Sequence, residues 1–252
     1  MKTVMLQKDS IHTGNLILVN PWHPYREENT IKDLVPVNNI EPTVLQSRSA
    51  VKLLSECMES LDGWRQISAV SGWRSMKEQQ DIYTQSLQDN GAAFTNKFVA
   101  LPGHSEHQTG LAIDLALKKE HIDFICPDFP YTGICQAFRE RAIPFGFTER
   151  YPQSKESITG IAHEPWHFRY VGTPHAEIMK KQGFVLEEYI DFLRQYPYGK
   201  KQYRYQQKHL NISVSYLKAQ EMTDTQFEID GNVPYSVSGN NVDGFIITEW
   251  RS

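Results

Sequence analysis

Three cysteines, Cys57, Cys126 and Cys135, are all that this 252-residue chain contains. Their number is odd and no C-x-x-C pair occurs, so a disulfide framework is not indicated and free thiols in a reducing compartment are expected. The N-terminal stretch Met1–Ser10 has no apolar run behind Lys2. No segment reaches the length of a membrane-spanning helix. These two features together give the expectation of a cytoplasmic protein with no membrane insertion. There is no excess of positive charge either: 26 Lys and Arg stand against 30 Asp and Glu. A net charge of −4 provides no electrostatic footprint for nucleic acid. Hydrophobic residues at 40% and charged residues at 22% are ordinary for a globular chain and exclude a disordered one.

Up to Pro42 the sequence is rich in Pro and Asn, and it predicts irregular chain with one short strand at Leu16-Ile17-Leu18-Val19. Val51, Leu54, Met58 and Leu61 then recur at helical spacing, with Gly63 as a stop. A short strand, Ile67 to Val70, leads into Ser71-Gly72-Trp73-Arg74-Ser75. Ser75 and Glu78 have capping-box spacing, which predicts a helix from Ser75 to about Gly91 and leaves Arg74 at a strand-to-helix corner. Asn90 to Gly103 reads as loop. From Leu111 to Leu117 apolar residues alternate with Ala112, Asp114 and Ala116, so one strand face carries a single carboxylate between two small side chains. A helix is expected over Gly133 to Ala142 and a strand from Trp166 to Val171. Further helices should follow Thr173-Pro174 and run from Leu186 to about Gln195. After Pro197 a basic, tyrosine-bearing run, Lys200 to Lys208, precedes β-like segments at Leu210–Leu217, Gln226–Asp230 and Phe245–Trp250. The division this texture suggests is a catalytic domain over residues 1–197 and a small β-rich C-terminal appendage over 198–252.

The chemistry concentrates in two places. Ser105-Glu106-His107-Gln108-Thr109-Gly110-Leu111-Ala112-Ile113-Asp114 joins a loop histidine to a strand carboxylate, and Glu164-Pro165-Trp166-His167 adds a second histidine with a carboxylate three residues before it. Two imidazoles and a carboxylate are good zinc donors, and a catalytic zinc usually has three protein ligands. Glu164 can then stand beside the attacking water without ligating the ion. His104 and His163 are neighbouring alternatives as ligands. His12, His23, His121, His175 and His209 read as surface residues, and Trp73 and Trp166 as packing walls.

Ser105-x-His107-x-x-Gly110-x-Ala112-x-Asp114 resembles the S-x-H-x-x-G-x-A-x-D signature of the D-Ala-D-Ala metallopeptidases, and Glu164-x-x-His167 resembles their second signature. Ser71-Gly72-Trp73-Arg74-Ser75 is similar to the family's S-G-Y-R-S. The run Glu164-Pro165-Trp166-His167-Phe168-Arg169-Tyr170-Val171-Gly172 is similar to the VanY and VanXY peptidases of glycopeptide resistance. The likeness spans about Leu16 to Gln195. It implies an α+β fold in which an antiparallel sheet carries a zinc site on one face and helices pack on the other. It also implies Zn2+ on His107, Asp114 and His167, with Glu164 as base, Arg74 on the oxyanion, and Ser105, Gln79 and Ser71 in contact with substrate. The implied substrates are the D-Ala-D-Ala dipeptide and peptidoglycan precursors ending in it, whose loss would deprive vancomycin-type antibiotics of their target. Some dual dipeptidase–carboxypeptidase relatives carry aspartate where this chain has Ser71, whereas VanY-type carboxypeptidases carry serine, so the balance between dipeptide and longer peptide stays open. An L,D-carboxypeptidase or other murein peptidase is the alternative on the same scaffold. A catalytically silent zinc-containing cell-wall peptide-binding module is the alternative of another class, against which Glu164 and Arg74 argue, since binding alone needs neither.

Overall fold

A computed structural model describes residues 1–26, 33–207 and 209–251. Residues 27–32 of the expected irregular stretch and Lys208 of the basic run lie outside the described residues. The chain forms two compact units, one of residues 19–180 and one of residues 1–18 with 181–252. The change of texture after Pro197 had suggested a division there instead. The boundary falls earlier, because the helix Leu186–Leu193 groups with the strands that follow it.

The larger unit is built on a four-stranded antiparallel sheet. Its strand order is Ile67–Ser71, Ala112–Leu117, Glu164–Tyr170, Phe147–Tyr151. The alternation read from Leu111 to Leu117 holds: Leu111, Ile113 and Leu115 enter a core with Phe168, Ile67 and Ala69. Leu54, Cys57 and Met58 of the helix Arg48–Glu59 and Cys135, Phe138 and Ala142 of the helix Gly133–Ala142 complete that core. Phe129, Phe138 and Phe168 meet edge to face, their ring centroids 4.9 to 5.9 Å apart. One face of the sheet is thereby covered by helices and the other is left for polar side chains, the α+β arrangement expected.

Three local expectations are corrected. Leu16–Val19 is fully buried but forms no strand; Leu16 N–H donates to Ser238 Oγ and Leu18 N–H to the Asn240 carbonyl in place of a ladder. The first strand is Lys2–Leu6, paired with Thr225–Ile229. The stretch after Asn90 is largely helical: Met76–Phe98 is helix on both sides of Gly91, whose φ of 77° and ψ of 167° break it. Packing overrides the turn signal there: Thr95 is buried with its hydroxyl 2.8 Å from that of Ser86, and the half-buried rings of Phe94 and Phe98 meet. The capping box at Ser75 is present, with Glu78 N–H donating to Ser75 Oγ and Ser75 N–H to Glu78.

In the smaller unit the strands Tyr235–Gly239, Gly244–Arg251, Leu210–Lys218 and Tyr203–Gln207 form a second antiparallel sheet in that order. Phe227, Ile229 and Ile247 form a separate apolar cluster with Val4, Leu6 and Val237.

His175, expected on the surface, is buried at the start of the helix His175–Gln182, and burial pushes its pKa down to about 3. The unfolded chain, with an ordinary histidine value near 6.5, therefore takes up this proton first as pH falls. The larger unit should lose stability between pH 6.5 and 3 by up to about 1.4 kcal/mol per pH unit from this group. Urea unfolding between pH 7 and 4 (a range of about 3 units) should show a shallower pH dependence in His175→Gln than in the parent.

Candidate active site

The site grows out of strand register. Asp114 lies opposite His167 on one neighbouring strand and opposite Ser71 on the other. Directly paired residues of antiparallel strands share a face, so the register alone brings Asp114, His167 and Ser71 to the helix-free face. His107 arrives from the short 3-10 turn Glu106–Thr109, which Gly110 ends in the left-handed conformation at φ 67°. A residue with a side chain is strained there, which accounts for the glycine between the histidine and the strand. Gly72 is required for a different reason: a Cβ at this position would lie 2.1 Å from the Leu45 carbonyl oxygen.

Asp114 is the centre of the cluster. Its Oδ1 is 2.9 Å from His167 Nδ1, and its Oδ2 is 3.1 Å from His107 Nε2 and 3.0 Å from Arg74 Nη2. One ligand atom each from His107, Asp114 and His167 fall within 4.8 Å of one another, and all three side chains are buried. This is the spacing of donors around a single ion, and the donor set suits zinc. His107 Nδ1 donates to the Gly72 carbonyl at 2.6 Å. A carbonyl only accepts, so the proton sits on Nδ1 and the Nε2 lone pair faces Asp114.

Burial shapes the ionisation of every member. It depresses His107, with Arg74 adding to the effect, so this imidazole is neutral. Burial would raise Asp114, but protonated neighbours outweigh it and hold its pKa well below the usual carboxylate range; with His107 neutral, His167 is the histidine that does so at neutral pH. Burial would lower His167, but the Asp114 and Glu106 carboxylates outweigh it and push the group up to about 9. Glu164 is pushed up to about 8, chiefly by burial and further by Asp114, against His167 and Arg74.

Glu164 and His167 are three residues apart, so strict strand alternation would send them to opposite faces. Pairing is irregular here, passing from Glu149 opposite Phe168 to Tyr151 opposite Glu164, and both side chains reach the same cavity. Glu164 Oε2 lies 3.8 Å from His167 Nδ1. These side chains open on one shared cavity. Arg74, Ser105, Glu164 and the three clustered side chains line its polar part; Phe98, Val99, Phe124, Ile125 and Trp166 line its apolar part.

Gln79 and Ser71, expected to touch substrate, do not line this cavity. Both are buried beneath Arg74: Arg74 Nε donates to Ser71 Oγ at 2.8 Å, and Nη1 to Gln79 Oε1 at 3.3 Å. With Asp114 on Nη2, the guanidinium is held on three sides. Neither alternative histidine joins the cluster. His104 Nδ1 bonds the Asn20 carbonyl, and His163 Nε2 lies 2.7 Å from the Tyr131 hydroxyl. Residues that the sequence reading passed over include Phe98 and Val99, assigned to a loop, and Tyr151, whose ring centroid is 4.9 Å from that of His167. Glu106 was passed over too. It is buried with one oxygen 2.8 Å from Arg150 Nε and 2.8 Å from Arg169 Nη1. Its place between two signature residues was the one available signal.

Comparison with known proteins agrees with this geometry. The sequence profile of the VanY D-alanyl-D-alanine carboxypeptidases matches residues 47–173, which hold every clustered side chain named above. The bifunctional D-Ala-D-Ala dipeptidase and carboxypeptidase VanXYC of Enterococcus gallinarum is 42% identical over 183 residues, covering 72% of this chain and 96% of that protein. The crystal structure of the vancomycin resistance D,D-dipeptidase VanXYg, in complex with a D-Ala-D-Ala phosphinate analogue, superposes with a TM-score of 0.96 at 51% identity and covers 99% of both chains. The D,D-pentapeptidase VanY of a VanB-type resistance cassette, solved as a variant in complex with Zn(II), gives a TM-score of 0.59 at 31% identity over 70% of this chain and 98% of that one. On sequence and on fold alike, the chain belongs to the VanY family of D-alanyl-D-alanine carboxypeptidases.

Proposed function

We propose that this protein is a zinc-dependent D,D-peptidase that hydrolyses the D-Ala-D-Ala dipeptide and removes the C-terminal D-amino acid of peptidoglycan precursors, so conferring glycopeptide resistance. The observation that carries the reading is the convergence of His107 Nε2, Asp114 and His167 Nδ1 on one point, with Glu164 on the edge of that cluster and Arg74 against Asp114. The activities named for VanXYC and VanXYg support it. The free thiols of Cys57, Cys126 and Cys135 fit a reducing compartment, and a cytoplasmic site is where the dipeptide and the precursors are made. Among the described residues no helix is long and apolar enough to cross a membrane.

Zinc bound at His107, Asp114 and His167 supplies Lewis acidity, polarising the scissile carbonyl and making water easier to deprotonate. Glu164 takes the proton of the attacking water and passes it to the leaving amine. Burial raises its affinity for a proton, and the field of a bound dication would lower it again and free the carboxylate to accept one. Arg74, aimed by Ser71 and Gln79, stabilises the negative charge that grows on the carbonyl oxygen. Ser105 lines the cavity and offers a hydroxyl to the peptide, and the apolar wall accommodates the methyl side chains.

Four measurements test this. Elemental analysis should find about one zinc per chain in the parent and little in His107→Ala or His167→Ala; full zinc in both variants would refute the ligand set. At pH 7 both His167 and Glu164 carry a proton in the metal-free protein, so zinc capture should release more than one proton per ion. Calorimetry in buffers of different ionisation enthalpy should show that release falling away as pH rises past about 9. Glu164→Gln should keep zinc and lose turnover by several orders of magnitude, whereas Arg74→Ala should lower kcat by about 10²–10³. Assays on D,D-, L,D- and L,L-peptides decide the substrate class, and preference for an L,D-peptide would overturn it.

A further inference from the structure

Glu106 has one oxygen that its ion pairs leave unused. Arg150 and Arg169, both buried, converge on Oε1. The other oxygen, Oε2, is buried without a hydrogen-bond partner, and so is His167 Nε2. These two atoms stand 3.5 Å apart. A buried carboxylate oxygen and a buried ring nitrogen, each without a hydrogen-bond partner, thus face one another at a separation that a small movement would close to a hydrogen bond.

We infer that Glu106 is a positioning residue for the metal centre: it accepts a hydrogen bond from His167 Nε2–H and thereby turns the Nδ1 lone pair of His167 towards Asp114 and the ion. This rests on the metal reading of the site. A neutral imidazole carries one proton, and whichever nitrogen holds it cannot ligate. Arg150 and Arg169 hold Oε1 from the far side and so leave Oε2 facing the ring. His107 is oriented the opposite way, Nδ1–H to the Gly72 carbonyl and Nε2 to the cluster. The two histidine ligands therefore use different ring nitrogens, each selected by a fixed acceptor behind the ring. Arg169 follows His167 by two residues on the same strand, so the strand that carries the ligand also carries part of its brace.

The test uses the full chain, labelled with 15N at histidine and loaded with 113Cd. Cadmium coupling should appear at His167 Nδ1 and at His107 Nε2, with a protonated Nε2 on His167. A Glu106→Gln variant with the parent's circular dichroism should bind zinc about 10–100-fold more weakly in chelator competition, because the amide can present its N–H to Nε2 and drive the proton to Nδ1. A role confined to pairing Arg150 and Arg169 would not set which nitrogen of His167 carries the ion. Coupling at His167 Nε2 overturns the inference, as does a folded Glu106→Gln with unchanged zinc affinity. If that variant does not fold, the parent spectrum alone decides. A parent that takes up neither metal at His107, Asp114 and His167 would instead refute the metal reading on which the inference stands.

Discussion

The carboxylate of Asp114 is the constraint from which the site follows. It sits on a central strand, in register with His167 on one side and Ser71 on the other, and is buried with two imidazoles and a guanidinium in contact. A lone carboxylate so placed would be prohibitively desolvated. Each partner therefore has a double role, compensating Asp114 and presenting its own functional atom to the cavity. Because the partners come from separate strands and a turn, the cluster forms only when the sheet is registered correctly. A slip of one residue would send Asp114 into the apolar core formed by Ile113 and Leu115.

Rigidity comes from behind the functional atoms. Gly72 lets the chain pass close to Leu45 and turns its carbonyl towards His107; Ser71 and Gln79 fix the Arg74 guanidinium; Arg150 and Arg169 fix Glu106. None of these supports needs to touch a substrate. A site on sheet strands with braced side chains holds its geometry more closely than one on loops alone. The cavity's apolar wall has a different origin, drawing on the end of the helix Met76–Phe98 and on the segment bearing Phe124 and Ile125.

Much of this was legible in sequence because it is written in short-range patterns. Alternation exposed Asp114 between two alanines, Ser75 and Glu78 marked a helix start, and the spacing of His107, Asp114 and His167 identified a donor set. What was missed depends on contacts between distant segments. The helical residues after Gly91 follow turn-like Asn90-Gly91 and owe their conformation to packing such as Thr95 on Ser86. Leu16–Val19 had strand-like composition, but its backbone pairs with a side chain and a loop. The family resemblance implies Ser71 and Gln79 at the substrate; in space both bond the Arg74 guanidinium, a contact that no local pattern announces. Glu106 was passed over because nothing local announces that Arg150 and Arg169 will close on it.

The ionisation pattern shows how one cluster can be stable both without and with a dication. In the metal-free protein at neutral pH, His167 holds a proton because its value is pushed up to about 9, and Glu164 holds one because its own is pushed up to about 8. The His167 proton offsets the Asp114 carboxylate and the Glu164 proton neutralises Glu164 itself, while Arg150 and Arg169 offset Glu106. A dication arriving at His107, Asp114 and His167 must displace the proton on His167 Nδ1, and its field lowers the proton affinity of Glu164. Two positive charges enter as protons leave, so the local charge changes little and Arg74, Arg150 and Arg169 meet much the same field in either state. On the proposed mechanism, loss of the Glu164 proton would also ready that carboxylate to accept one from water. Charge balance and catalytic readiness are then the same event, and both depend on Asp114 being paired where the strands place it.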